Sequence, residues 1–147
     1  MIFTANQDTI RLLRECDAGI TMGLSAIEQV MKSVKDADFR QTLDECKNKH
    51  DILNKDIKSM LDSADDSGKA PHPMAKSMAW FKTEVKLAAD SSDSTAADII
   101  TDGCNMGIKS LSKYLNEYGA ADEGSKDIAE RLIAIEETLA KDVRKYL

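Results

Sequence analysis

The chain has 147 residues, 42% of them apolar and 31% charged, with a net charge of −6. That length suits one domain with a core of its own, and an acidic balance without a basic block argues against nucleic acid as a partner, because neutralising phosphates needs clustered Lys and Arg. Aromatic residues make up only 5%, and β-branched residues are scattered rather than in runs, which disfavours a sheet.

The start of the chain, Met1-Ile2-Phe3-Thr4, lacks the basic residues and long apolar stretch of a secretion signal. The first helix is expected over 6–35. Its stripe is Ile10, Leu13, Asp17, Ile20, Leu24, Ile27, Met31 and Val34, stepping by three and four as one face of a packed helix does. Asp17 interrupts the apolar stripe, so it points outward or finds a partner inside. Gly19 and Gly23 follow one helical turn apart. Glycine costs about 1 kcal/mol in a helix relative to Ala, and the pair suggests close approach by another helix or a ligand.

A short turn at Val34–Asp38 makes the second helix, 37–63, antiparallel to the first, with Asp36 or Asp38 as its cap. Its stripe is Phe39, Leu43, Cys46, His50, Leu53, Ile57 and Met60. A helix of about 27 residues spans roughly 40 Å, which points to an elongated bundle. The stretch after it, rich in Gly, Pro and Asp, reads as a loop containing His72. A short helix is expected over 74–89, carrying Met74, Met78, Phe81 and Val85 on one face beside Trp80. The segment Asp90–Thr95 breaks the chain and supplies caps for a fourth helix over 95–118. That helix carries Ala97, Ile100, Cys104, Ile108, Leu111 and Leu115 on its inner face, and a second glycine pair, Gly103 and Gly107. Gly119 stops it, Ser125 can cap the next, and the last helix is expected over 125–147 with Ile128, Leu132, Ile135, Leu139, Val143 and Tyr146 inward.

The pattern is one all-α domain over 1–147: a four-helix bundle made of two antiparallel hairpins joined by a long crossover, the topology of ferritin-like proteins. No apolar run approaches the roughly 18 residues of a membrane span. Cys16, Cys46 and Cys104 are odd in number and widely spaced, so no disulfide framework is expected and the cytoplasm is the simplest location.

Particular stretches carry a closer likeness. Asp17-Ala18-Gly19-Ile20 through Ala26-Ile27-Glu28, the entry Asp38-Phe39-Arg40, Trp80 with Lys82, and the Gly103 region resemble a group of bacterial ferritin-like proteins of unknown function, often stress-associated and related in fold to ferritin and rubrerythrin. The resemblance implies the bundle fold and brings no activity with it.

Chemistry can be tested against the residues. A ferritin-like di-iron centre needs a Glu from each of two helices and Glu-x-x-His from each of two others. The residue three before His50 is Lys47, the last helix has no histidine, and an inward position of the fourth helix is Cys104 where a Glu is wanted. A site of hemerythrin type is excluded by a total of two histidines. Cys46 and His50, one turn apart, have the spacing of two ligands. A zinc or copper site there would need Cys104 or a carboxylate such as Asp17 to join them, yet Asp17 is expected about 7–8 Å along the axis from His50; iron or zinc, with Glu136 as a further candidate ligand, is the alternative cofactor. The bland alternative is a hydrogen-bonded core histidine beside a small apolar Cys46. No serine-based triad and no Gly-rich phosphate loop is present. The leading expectation is a bundle that does no chemistry and acts by protein contact or as a dimer. The alternatives are a metal or redox protein using Asp17, Cys46, His50 and Glu136, or a binder of a small apolar ligand between the Gly19/Gly23 and Gly103/Gly107 surfaces.

Overall fold

The apolar stripes and caps are realised as four long helices. The computed structural model describes residues 6–64 and 90–147. They form α1 (Gln7–Met31), α2 (Ala37–Ser63), α3 (Asp93–Glu117) and α4 (Glu123–Asp142), with a 3₁₀ turn at Arg144–Tyr146. The expected helix over 74–89, with Trp80 and Phe81, and His72 before it lie outside the described residues.

Each helix start is fixed by one short polar side chain that accepts the orphan N–H three residues on. Asn6 accepts from Thr9, Asp36 from Phe39, Ser92 from Thr95 and Asp122 from Ser125. Two starts therefore fall earlier than the sequence suggests. Ser92 rather than a later residue caps α3. At α4 Ser125 receives the cap from Asp122, and its hydroxyl donates back to the Asp122 carbonyl at 2.9 Å. The first helix ends earlier, at Met31, and the Arg40 guanidinium satisfies carbonyls at and just past that end: Nη1 donates to Met31 O at 2.6 Å and to Val34 O at 3.1 Å.

Helix direction follows from the contacts at the two ends. At one end the Asp93 carboxylate, opening α3, accepts the backbone N–H groups of Lys35 (2.8 Å) and Asp36 (2.9 Å) in the α1–α2 turn. Tyr146, after α4, stacks on Phe39 of α2 with ring centroids 4.3 Å apart. At the other end the Asn6 amide donates to Ala120 O at 2.8 Å, and the Asp122 N–H donates to Thr9 Oγ1, also at 2.8 Å. So α1 and α4 run one way and α2 and α3 the other. α1 packs on the other three helices, α4 does the same, and α2 and α3 hold opposite corners. Since α2 ends at one end and α3 begins at the other, the chain between them connects opposite ends of the bundle.

The core has two apolar parts. One gathers Ile27, Val30, Phe39, Leu43, Ile100 and Leu139 toward the α1–α2 turn. The other gathers Leu12, Ile20, Leu53, Ile57, Leu111 and Leu132 toward the α3–α4 turn. On α2 the buried set matches the expected stripe through Ile57, with Leu61 buried and Met60 half-buried beyond it. On α1 the stripe is rotated slightly. Cys16 is fully buried, whereas Asp17, Ile10, Leu24 and Met31 are only half-buried. On α4 the central inward position belongs to Glu136, with Ile135 half-buried beside it. Among the described residues no helix is long and apolar enough to cross a membrane.

Candidate functional site

Between the two apolar parts lies a buried polar layer to which all four helices contribute. His50 on α2 is fully buried at its centre. Its Nδ1 is 2.8 Å from the Cys46 carbonyl and 3.5 Å from the Cys46 thiol, one turn back on the same helix. Its Nε2 is 3.0 Å from Oε1 of Glu136 on α4. Glycines of the other two helices leave the room. A Cβ on Gly23 of α1 would come within 2.9 Å of His50 Nε2, and one on Gly107 of α3 would touch the Glu136 carboxylate at 3.7 Å. Cys104 of α3, buried and close enough to Glu136 to feel its charge, completes the layer.

A carbonyl and a carboxylate only accept hydrogen bonds. The arrangement that satisfies both is an imidazolium donating from both ring nitrogens. Burial disfavours a charged ring, but the hydrogen bonds to Cys46 and Glu136 and the negative charge of Glu136 outweigh it, and the His50 pKa is pushed up to about 10. Cys104 responds in the opposite chemical sense: burial, with the Glu136 charge adding to it, pushes its thiol well above the ordinary range. A raised thiol stays protonated and is a poor nucleophile and a poor metal ligand.

Glu136 therefore joins His50, and Cys46 lies with them, as three of the candidates from the sequence. Asp17 does not belong to the group. Gly23 is the α1 residue level with His50, and Asp17 lies six residues nearer the N-terminus, roughly 9 Å along the axis. Gly19 packs against Leu132 at 3.7 Å, and Gly103 is exposed, with nothing within 4 Å of an added Cβ. The space beside Gly19, Gly23 and Gly107 is thus taken by the protein's own side chains.

The layer does not fit a di-iron centre. His50 spends both nitrogens on protein acceptors, and Lys47, in the place of the required Glu, turns outward toward Glu28 of α1 at 3.6 Å. Among the described residues no three or more His, Cys, Asp and Glu side chains are grouped so as to hold a metal ion. Sequence reasoning missed a second buried carboxylate, Glu15; burial first and the neighbouring Glu15 second raise the Tyr114 hydroxyl. Its signal was slight, since Glu15 neighbours Cys16 just off the expected stripe.

No family model matches the chain, and no curated protein matches it.

Proposed function

We propose that this protein is a ferritin-like bundle without a di-iron centre, and that it acts by protein contact or self-association rather than by catalysis, in a cytoplasmic, stress-related setting. The observation that carries this reading is the closure of His50. Its two ring nitrogens face Cys46 O at 2.8 Å and Glu136 Oε1 at 3.0 Å, which leaves neither lone pair for a metal or a substrate proton. The up-down-down-up helix order supports the ferritin-like assignment, since that fold also joins two antiparallel hairpins through one long connection.

A metal or redox role is the second reading, because Cys46, His50, Cys104 and Glu136 share one buried layer. Elemental analysis of the purified protein separates the two. We expect substoichiometric iron and zinc, unchanged in His50→Ala. One equivalent of either metal per chain, lost in that variant, would overturn the proposal.

A further inference from the structure

We propose that the outer face formed by α2 and α4 is a two-fold interface between two copies of this chain. This rests on the reading of the protein as one that acts by contact, and it names the partner.

Three large apolar residues are strongly exposed among the described ones, and one of them, Ile52, 58% exposed, lines a groove. The groove runs between α2 and α4, is shallow and open to solvent, and has a volume of about 390 Å³. It is lined by buried Leu53 and half-buried Ile135 together with exposed Ala134, Lys49 and Arg131. The hydrogen bond from His50 to Glu136 sets the register of the antiparallel pair, so Ile52 is level with Ala134. A large exposed residue, a small one and an apolar hollow thus sit side by side on one surface. A two-fold interface needs that combination, because the same patch must supply both the knob and the hole.

The charges point to the same partner. The chain carries −6 overall, so most faces of two copies repel. The two cations lining this groove, Lys49 and Arg131, recur on the second copy across a two-fold axis, so attraction between the copies has to come from acidic neighbours on the same face. On α2, Lys49 and Asp56 bracket Ile52 and are seven residues apart, which puts them on one side of the helix to within about 20°. Turning a second α2 antiparallel about Ile52 sets each Lys49 against the other copy's Asp56. Among the described residues Lys49 makes no ion pair, and Asp56 holds a long one to Arg131 at 3.7 Å, which leaves oxygen lone pairs to share.

Sedimentation velocity of the 147-residue chain across a concentration series tests this. We expect reversible dimers in the wild type and monomers in Ile52→Glu at the same concentrations. Lys49→Glu and Asp56→Lys should each weaken association about tenfold, since every substitution replaces two symmetry-related attractions by repulsions. Combining the two substitutions in one chain should restore it. All sites are exposed, and circular dichroism verifies that each variant is folded. A wild type that stays monomeric, an Ile52→Glu variant that dimerises as well as the wild type, or a double charge swap no tighter than the single ones would each overturn the proposal. A monomer free of metal would remove this interface and leave the reading of the bundle as a metal-free contact protein standing.

Discussion

Gly23 and Gly103 each belong to a glycine pair one helical turn apart, yet their surroundings are opposite. A Cβ at Gly23 would be driven to 2.9 Å from His50 Nε2, and the ring is fully buried and cannot swing away. Gly23→Ala should therefore destabilise the fold by about 1–3 kcal/mol despite its better helix propensity, as overpacking does. At Gly103 there is no neighbour to meet, so Gly103→Ala should stabilise by up to about 1 kcal/mol. Urea midpoints of the two variants check both signs. The His50 ring adds a pH signature. Its folded pKa, near 10, lies above the unfolded value of 6.5, so its contribution is complete below pH 6.5 and is lost as the pH climbs toward 10. Each pH unit between those two values is worth about 1.4 kcal/mol, so the loss amounts to a few kcal/mol. Cys104 acts in the same direction only above its ordinary value of 9.0, so the window from pH 6.5 to 9 reports His50. Denaturant titrations should show stability falling across that window in the wild type and a much flatter profile in Glu136→Gln, which removes the carboxylate charge.

At the scale of elements, the bundle is tied at its ends by side chains that reach across helices. Asp93 is the clearest case: it opens α3 and accepts two backbone N–H groups from the α1–α2 turn. Asp93→Ala should cost about 1–2 kcal/mol, because those donors lose their charged acceptor. Amide exchange should show protection lost at Lys35 and Asp36 while the middle of α1 stays protected, a pattern that general destabilisation would not give. These ties are invisible in the sequence, since Asp93 and Lys35 are 58 residues apart and no periodicity links them. The helices themselves are legible: Phe39, Leu43, Cys46, Leu53 and Ile57 repeat at helical spacing, and all are buried. On α1 the expected stripe is displaced by about one residue from the buried one. Cys16 and Asp17 are adjacent, and only packing against neighbours decides which of them turns inward.

For the whole molecule, the question is why a bundle with two sound apolar regions keeps a charged layer between them. His50 stands out by spacing alone, but its partner Glu136 is 86 residues away on another helix, so the pairing can be read only from the fold. Isolated buried ion pairs are weak sources of stability, because desolvation offsets most of the attraction, but leaving one member alone is costly. His50→Leu or Glu136→Leu should each destabilise by about 3–5 kcal/mol, since each strands the surviving polar group among Gly23, Gly107 and Cys104. Replacing both at once removes the stranded group and leaves a hydrophobic layer of similar volume. The double variant should therefore be far more stable than the sum of the singles, within about 1–2 kcal/mol of the wild type or above it. The pair also fixes how α2 and α4 slide along each other, and with it the level of Ile52 against Ala134 on the outer face. The double variant should accordingly keep its helix content by circular dichroism yet dimerise less tightly, because register is the property that the hydrogen bond specifies and apolar contacts do not. A double variant as unstable as the two losses added together would mean that His50 and Glu136 are held by separate interactions and not by each other.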